Sequence, residues 1–421
     1  MNLAVIGSGG REHALCYKLK QSKEIKKIYC IPGNAGTKKF AENINEDISD
    51  FDKIYKIVTE KKVDYVIVGP EEPLVNGIVD FFTKKKIKIF GPDKFASQLE
   101  GSKAFMKKLC KENNIPTANF GIFENLENAF NFIKKNKVPI VVKADGLAAG
   151  KGVSICQTRE EAEKKTKEII EGKFKSSSKV VLEEFIEGEE LSYFSVVDEH
   201  TFLFFGSAQD HKRVGEGDTG LNTGGMGAFS PANILNHELE KKIKKKIIEP
   251  TLNFLKKTDH PYKGFLYTGL MIKENEPYLI EYNIRMGDPE CQVLMMRLKT
   301  NLFDIIKSVI NNSLSNTKIE WKKDSCMTIV LCSKGYPEKY EKNIEIKNLD
   351  KIISDNNNQI FHAGTYEKDK KKFSNGGRVL NITSVSENLS KAREKCLETL
   401  RKLNWKKGFF RKDIGWRVLK K

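Results

Sequence analysis

The 421-residue sequence lacks the features that are typical of secreted and membrane-spanning proteins. It has no apolar run of about 18 residues, the length that a transmembrane helix needs. No charged and apolar leader precedes the first apolar run, so we expect no signal peptide. The eight cysteines include no CxxC pair, which disfavours a disulfide framework. We therefore expect reduced, structural thiols in a cytoplasmic protein.

Acidic residues are fewer than basic ones, with 56 Asp and Glu against 73 Lys and Arg, and the net charge is +17. Such an excess occurs in proteins that bind nucleic acids. The basic runs, however, are lysine-rich, with few arginines and no interleaved aromatic residues, as in "KKIKKKI" at 241–247. We interpret them as solvated surface and expect neither a nucleic-acid nor a membrane partner. A basic protein also suits small anionic substrates.

The first 92 residues alternate between apolar runs and amphipathic stretches. The apolar runs lie at 3–6, 25–31, 63–68 and 87–90, and the amphipathic stretches lie at 11–21, 52–61 and 73–85. This alternation predicts an open parallel sheet with helices on its faces.

Beyond residue 102 the pattern indicates a mixed architecture. Helices are predicted at 102–113, with Ser102 as N-cap, at 159–171 and at about 237–257. Strands are predicted at 139–144, 154–156, 179–185, 191–198, 201–206, 265–272 and 277–284. The glycine-rich stretch 207–232 is predicted to be a long, functional loop.

The segment "VIGSGGREHAL" at 5–15 begins like a dinucleotide-binding turn and then departs from it. Gly7 and Gly9 match G-x-G-x-x-G, but Glu12 stands at its third glycine, and no acidic residue ends the second strand. NAD is therefore disfavoured. Comparable turns follow two other strands, "PGNAG" at 32–36 and "GPEEPL" at 69–74. Three such turns at one sheet edge favour a sugar phosphate over merely tight connections.

The segment "VVKADGLAAGKGV" at 141–153 is predicted to form a strand, a glycine-rich loop and a returning strand. It does not satisfy the P-loop pattern G-x-x-x-x-G-K-[ST]. Lys143 ends the first strand and Lys151 closes the loop, and the small residues between them let backbone N–H groups approach phosphate oxygens. We interpret this hairpin as a flap over nucleotide phosphates, with a disordered hairpin tip as the alternative.

The segment "LIEYNIRMGDPE" at 279–290 carries the strongest chemical pattern. Strand alternation places Glu281, Asn283 and Arg285 on one face, with Leu279 deeper on that face. The opposite face, directed to a core, is predicted to consist of Ile280, Tyr282 and Ile284. A carboxylate, a carboxamide and a guanidinium in one row suit Mg²⁺ and a phosphoryl group in transfer. The alternative is a surface strand with its polar residues outward.

Two further segments are less specific. In "VLEEFIEGEE" at 181–190, the backbone of a hinge could bind the edge of adenine, and Glu189 or Glu190 could bind the ribose hydroxyls. The alternative is an acidic turn that is merely solvated. The stretch 207–231 contains Asp210, His211 and the turn "TGGMG", which suits closure over a small zwitterion. For His211, a structural hydrogen bond is favoured over a role as catalytic base.

In their order along the chain, these segments resemble the phosphoribosylamine–glycine ligase family, the glycinamide ribonucleotide synthetases of the ATP-grasp class. The resemblance runs from Leu3 to Leu419 and rests on "GSGGREHAL", "PGNAGT", "VGPEEPLVNGIVD", "QLEGSKAF", "IVVKADGLAAGKGV", "VLEEFIEGEELSY", "QDHKRV", "TGGMGAFSP", "IEYNIRMGDPE", "FHAGT", "NGGRVL" and "RKDIGWRVL". Leu221 replaces a usual proline and Met286 a usual phenylalanine. The resemblance implies an α/β multi-domain protein: an N-terminal open parallel sheet at 1–101, an ATP-grasp fold of two α+β subdomains at 102–325 with a flap at about 122–188, and a small mixed domain at 326–421.

The resemblance also implies a reaction in purine biosynthesis, in which ATP, glycine and 5-phosphoribosylamine give glycinamide ribonucleotide, ADP and phosphate through glycyl phosphate. It implies Mg²⁺ or Mn²⁺ held by Glu281 and Asn283, and catalytic roles for Arg285, Lys143 and Asp210. ATP would be bound by Lys103, Lys143, Gly146, Gly150, Lys151, Gly152, Glu183, Glu184, Phe185, Ile186 and Glu190. Glycine and phosphoribosylamine would be bound by Gly9, Gly10, Arg11, Asn34, Ala35, Glu71, Asp210, Asn222, Thr223, Gly224, Gly225 and Asp288. We expect a monomer or a weak homodimer.

Two other functions are compatible with parts of the sequence. Another ATP-grasp carboxylate–amine ligase would use a different acid or amine, which "GGREHA" and "TGGMG" disfavour. A non-catalytic nucleotide- or RNA-binding protein would use the basic surface, which the row of Glu281, Asn283 and Arg285 disfavours. The preceding strand, "YTGLMI" at 267–272, offers no second metal carboxylate, so the predicted ligand set is incomplete.

Overall fold

The structure is a computed structural model that describes residues 1–148, 152–172, 178–352, 354–403 and 405–419. Within these ranges no helix is both long enough and apolar enough to cross a membrane. All eight cysteines are buried and free, which confirms the prediction of reduced, structural thiols.

The N-terminal part alternates strands and helices. Its strands are β1 Asn2–Gly7, β2 Lys27–Pro32, β3 Glu42–Asn43, β4 Tyr65–Val68 and β5 Lys88–Phe90, and its helices are α1 Gly10–Leu19, α2 Phe51–Glu60, α3 Glu71–Val75 and α4 Ile78–Lys84. The strands pair in parallel in the order β3-β2-β1-β4-β5, which confirms the predicted open parallel sheet. The single helix predicted at 73–85 is two helices, because the chain turns at Gly77 with the positive φ of 91° that glycine adopts readily.

An antiparallel sheet with two helices forms a separate lobe, the flap. Two short helices lead into it, α5 Gln98–Gly101 and α6 Lys103–Glu112. The flap consists of β6 Phe120–Phe123, α7 Leu126–Lys135, β7 Ile140–Ala144, β8 Val153–Cys156, α8 Arg159–Ile170 and β9 Val180–Glu184, with strand order β6-β9-β7-β8. Its helices and strands share a core of their own that includes Ala129, Ile133, Val142 and Leu182.

A second, larger sheet carries the remainder of the chain. Its central part contains β10 Glu189–Val197, β11 Phe202–Asp210, β12 Arg213–Gly215, β13 Thr219–Asn222, β14 Gly227–Ser230, α9 His237–Ile243, α10 Glu249–Lys257, β15 Gly264–Lys273, β16 Glu276–Asn283, α11 Glu290–Arg297 and α12 Leu302–Ile310. The C-terminal part contains β17 Ser325–Ser333, β18 Asn358–His362, β19 Thr365–Lys368, β20 Lys371–Ser374, β21 Arg378–Ser386, α13 Leu389–Leu403, β22 Gly408–Phe409 and α14 Trp416–Leu419.

The C-terminal strands β17, β18, β21 and β22 continue the central sheet, whereas β19 and β20 pair with each other in a separate two-stranded sheet. The order is β16-β15-β10-β11-β14-β17-β21-β18, with β22 paired to β17. Strand β14 makes this connection, because it pairs with β11 on one side and with β17 on the other.

Two expectations for the central region are wrong in their local geometry. The stretch 207–232 is not a long loop, because β11 extends to Asp210, β12 and β13 form a hairpin, and β14 joins the sheet. Sheet pairing here overrides the weak strand preference of glycine and aspartate. In β16, Ile280 is the extra residue of a β-bulge opposite β15. Leu279 is therefore displaced from the face of Glu281, and the core side chains of this strand are Leu279, Tyr282 and Ile284.

Candidate active site

Three turns lie side by side at the carboxyl edge of the N-terminal sheet, after β1, β2 and β4. The Asn34 side chain holds two of them together and joins them to the C-terminal part. Its amide nitrogen donates to the carbonyl oxygens of Ser8, at 2.8 Å, and His362, at 2.9 Å, while its amide oxygen accepts two backbone N–H groups. Ala35 is buried beside it and donates its N–H to the Thr365 carbonyl at 3.4 Å. The Asn34 side chain is therefore fully engaged within the protein.

Helix α1 begins at the first of these turns. Gly9 is its N-cap, and a Cβ at Gly10 would collide with the Asn381 amide. Both glycines therefore permit a close approach that larger residues would prevent.

Arg11 is buried, and its side chain contacts Glu12 and the turn after β16. Its Nε lies 2.6 Å from a Glu12 carboxylate oxygen, and its Nη1 donates to the Met286 carbonyl at 3.2 Å. Its backbone N–H donates to the Asp288 carboxylate at 3.3 Å. Arg11 thus links α1 to the turn after β16.

Arg285 joins that turn to two carboxylates from earlier in the chain. Its Nε lies 3.2 Å from Glu71 and its Nη2 lies 2.7 Å from Glu100. The Arg285 charge lowers the pKa of Glu71 to about 2, whereas burial raises the pKa of Glu100 to about 7. One arginine between two carboxylates therefore keeps Glu71 ionised and leaves Glu100 as the group that takes up a proton more easily.

A buried ion triad lies at the base of the flap. Glu183 of β9 contacts Lys143 of β7 at 2.8 Å and Lys107 of α6 at 3.1 Å. Lys103, on the same helix, donates to the Gly146 carbonyl at 3.0 Å. Burial lowers the pKa of both Lys103 and Lys107. Three ammonium groups thus gather at the base of the flap, and such a cluster of cations suits phosphate binding.

Glu281 lies among cations at the end of β16. Lys212 is 3.5 Å from Glu281 and 3.4 Å from Glu190. Burial raises the pKa of Glu281, but the surrounding positive charge outweighs burial and lowers it overall. The cations concerned are Lys212, Lys143, Lys103 and Arg285. In turn, Glu190 raises the pKa of Lys212 well above its ordinary value.

Glu281 and Asn283 fit a divalent cation by their chemistry. They offer a carboxylate and a carboxamide oxygen, and Mg²⁺ usually takes one or two protein oxygens together with substrate phosphates. Asn283 is buried, and its amide nitrogen has no hydrogen-bond partner among the described residues. No group of three His, Cys, Asp or Glu within the described ranges is arranged to hold a metal ion. The two residues therefore suit a cation that is bound together with a phosphate ligand.

The segment after β9 forms an open edge beside the triad. Phe185 is 39% exposed, an unusual exposure for a large apolar side chain. Glu184 is exposed and accepts the Asn119 N–H at 2.9 Å, and Ile186 is half-buried.

The flap loop is described only at its two ends. Gly146 has a φ of +86°, and the Gly152 carbonyl accepts the Ala144 N–H at 2.8 Å. The predicted phosphate-binding residues Gly150 and Lys151 lie outside the described residues.

The turn 223–227 meets the turn after β16 through Arg378. This side chain donates to the Gly224 carbonyl at 2.5 Å and to the Asp288 carbonyl. Asp210, at the end of β11, is half-buried, and desolvation together with the Glu290 charge raises its pKa well above the ordinary range.

The same turn is also attached to Lys212. The Thr223 hydroxyl donates to the Lys212 carbonyl at 2.9 Å and accepts the Gly225 N–H at 3.0 Å. Asn222, the last residue of β13, pairs with Arg213.

Four side chains of this region were missed or left without a role by sequence reasoning: Glu100, Lys107, Lys212 and Arg378. Lys107 follows Lys103 by one helical turn, a spacing that places both on one face of α6. Glu100 and Arg378 lie in the segments "QLEGSKAF" and "NGGRVL", which carry the family resemblance but do not indicate which residues these two side chains contact.

The flap sheet and the central sheet meet at clustered lysines, and a carboxylate and a carboxamide oxygen lie at a strand end. This arrangement defines an ATP-grasp enzyme. Sequence profiles of the phosphoribosylglycinamide synthetase family match residues 1–100 (N domain), 101–291 (ATP-grasp domain) and 326–417 (C domain). The chain belongs to this family, so the predicted family and the predicted ATP-dependent ligase activity are confirmed.

Individual relatives cover the whole chain. The phosphoribosylamine–glycine ligase of Brucella melitensis is 45% identical over 422 residues, and that of Mesorhizobium japonicum is 45% identical over 420, each covering 100% of this chain and 99% of the relative. The crystal structure of the Thermotoga maritima phosphoribosylamine–glycine ligase superposes with a TM-score of 0.85 at 34% identity, covering 98% of this chain and 100% of that one. Biotin carboxylase of Campylobacter jejuni, with a TM-score of 0.74 at 16% identity over 100% of this chain and 95% of that one, shares the fold alone.

Proposed function

We propose that the chain joins glycine to 5-phosphoribosylamine at the expense of ATP, giving glycinamide ribonucleotide, ADP and phosphate in purine biosynthesis. The names of its relatives support this activity. The observation that carries the proposal is Glu281, which lies among four cations where the flap base, the central sheet and the N-terminal turns meet. Such a site suits transfer of a phosphoryl group to a carboxylate.

ATP binds between the flap and the central sheet. Lys103 and Lys143 contact its phosphates, and Lys143 exchanges part of its contact with Glu183 for a phosphate oxygen. The segment 183–186 lines adenine, and Glu190 contacts the ribose. Mg²⁺ or Mn²⁺, held by Glu281 and Asn283, neutralises phosphate charge when it is bound.

The chemistry proceeds in two displacements. A glycine carboxylate oxygen attacks the γ-phosphorus, the bond to the bridging oxygen of ADP breaks, and glycyl phosphate forms. The amine of phosphoribosylamine then attacks the acyl carbon, phosphate leaves, and the amine gives up a proton. Arg285 stabilises the charge on the transferred group, and Asp210, at the end of β11, takes the proton.

Phosphoribosylamine occupies the crevice of the N-terminal turns, near Gly9, Gly10 and Glu71. The Arg11 and Asn34 side chains contribute by holding these turns in place, because both are already engaged within the protein. Glycine binds beside Asp210, Asp288 and the segment 222–225.

The proposal extends to a cytoplasmic protein that is a monomer or weak homodimer. The eight buried, free thiols support a reducing compartment.

The test is ADP release from Mg-ATP and glycine, with and without phosphoribosylamine generated in situ from ribose 5-phosphate and ammonia. We expect turnover only when glycine and phosphoribosylamine are both present. Turnover with a different acid or amine, or none with this pair, would contradict the proposal.

A further inference from the structure

The segment "RKDIGWR" at 411–417 contacts the β12–β13 hairpin. Arg411 is the centre of this contact and is 1% exposed. Its guanidinium binds both carboxylate oxygens of Asp413, at 2.8 and 2.7 Å, and donates to the Arg213 carbonyl at 3.0 Å and to Asp218 at 2.8 Å. Charge-assisted contacts of this kind are stronger than neutral ones.

Asp218, at the tip of the hairpin, receives three donors from the C-terminal segment. Besides Arg411, Arg417 Nη2 lies 2.8 Å from its carboxylate and Trp416 Nε1 donates to it at 3.0 Å. The Asp218 side chain is 16% exposed. The half-buried Asp218 carboxylate thus accepts hydrogen bonds from three side chains of the C-terminal segment.

Three further hydrogen bonds join the two stretches, one of them from the Lys412 N–H to the Glu216 carboxylate at 3.1 Å. The Gly217 N–H donates to Asp413 at 2.8 Å, and the Gly415 N–H donates to His211 Nε2 at 3.0 Å. The segment 411–417 therefore contacts the stretch 211–218 at both of its ends. We call these contacts, made by 411–417 with 211–218, the hairpin clamp.

The clamped stretch leads directly into the proposed active site. Lys212 lies between His211 and the hairpin, and its ammonium approaches Glu190 and Glu281. On the other side of the hairpin, Thr223 donates both its N–H and its hydroxyl to the Lys212 carbonyl, at 2.8 and 2.9 Å. A displacement of the hairpin would therefore move Lys212 and the turn 223–227 together.

We propose that Asp218, Arg411 and Arg417 are positioning residues for the ligase reaction: they fix the hairpin and thereby hold Lys212 and the turn 223–227 in the geometry that binds glycine and phosphoribosylamine. This inference rests on the proposed function. The clamp reaches the two co-substrates through the turn 223–227, whereas its path to the nucleotide runs through Lys212 and the contacts of Lys212 with Glu190 and Glu281. Loosening of the clamp therefore affects the two co-substrates more than the nucleotide.

The test compares the full-length wild type with Asp218→Asn and Arg417→Ala. Asp218→Asn keeps the side-chain shape and removes its charge. Arg417→Ala removes one donor of the clamp, and because the Arg417 side chain is 45% exposed, we expect this variant to fold. Glu341→Gln is the control, because it breaks an exposed ion pair with Lys407 in the same part of the chain. For each we measure kcat, the KM values of glycine, phosphoribosylamine and ATP, and the melting temperature.

We expect Asp218→Asn to raise the KM of glycine and of phosphoribosylamine about tenfold, the effect of a lost charge-assisted contact, with the KM of ATP within about twofold of wild type. Arg417→Ala should change the same constants in the same direction by less, and Glu341→Gln should change none. If both clamp variants leave the glycine KM unchanged, or if only the melting temperature falls, the clamp is merely stabilising and the inference is wrong. If Asp218→Asn does not fold, the glycine KM of Arg417→Ala alone tests the inference. A wild type without glycine-dependent turnover would instead refute the proposed function.

Discussion

Replacement of Glu183 by glutamine tests the ion triad at the base of the flap. The carboxylate is 2% exposed and lies within 3.1 Å of two ammonium groups, on Lys107 and Lys143, whose side chains are 0% and 6% exposed. Glutamine keeps the shape but removes the only negative charge of this triad. Two buried cations would then face an amide whose nitrogen is itself a donor.

The magnitude follows from the burial of the triad. Removal of one partner from a buried ion pair costs roughly 3–5 kcal/mol, mostly because the remaining charge is left uncompensated. We expect Glu183→Gln to lower the free energy of unfolding of the flap by that amount. Adding Lys107→Met removes one uncompensated cation and should restore about 1–3 kcal/mol, a coupling typical of side chains in contact.

The assay must isolate the flap, because a multi-domain chain does not unfold in a single step. Hydrogen exchange at the β7 and β9 amides does so, since the flap has its own apolar core and can open locally. Glu184→Gln is the matched control: its side chain is exposed and accepts one backbone N–H, so we expect a loss of about 1 kcal/mol or less. The reasoning fails if Glu183→Gln costs no more than this control, or if Lys107→Met adds to the loss instead of reducing it.

Two further predictions concern the carboxylates of the active site. Glu281→Ala should reduce turnover at least a hundredfold while the melting profile stays close to wild type, because it removes a proposed cation ligand and leaves the apolar core intact; near-normal turnover would refute the cation assignment. Glu100, with a pKa of about 7, should ionise as pH rises through neutrality and then pair fully with Arg285, so kcat/KM should rise to a plateau above pH 7. Glu100→Gln should abolish this inflection, and an unchanged pH profile in that variant would contradict the assignment. Since burial raises this carboxyl pKa above that of the unfolded chain, its contribution to stability is complete below about pH 4.5 and decreases as pH rises toward 7.

Local patterns predicted most elements of the fold. The apolar runs at 3–6 and 63–68 became β1 and β4 of the parallel sheet, and the glycine-rich hairpin at 141–153 joins β7 and β8 as expected. The two wrong predictions each concern a short segment, but their causes lie in how that segment pairs with other strands. The bulge at Ile280 arises from pairing with β15, and the strands within 207–232 form because β11 and β17 are available as partners for β14. Strands β15 and β17 lie outside these two segments, and β11 begins before the second one, so neither segment by itself shows its partners.

For the active site, the sequence by itself determined which kinds of side chain are present and how they are spaced. Alternation from Glu281 to Arg285, together with glycine turns after three parallel strands, was enough to indicate a phosphate and cation site, because strand periodicity and the edge of a parallel sheet are local properties. Only the tertiary structure decided which charges meet. Glu71 lies 214 residues before Arg285, and the Asn34 amide is engaged by a carbonyl 328 residues away. Such contacts depend on how the sheets and the flap pack together. There burial raises the pKa of Glu100, the surrounding cations lower the pKa of Glu281, and the Arg11 and Asn34 side chains are engaged within the protein.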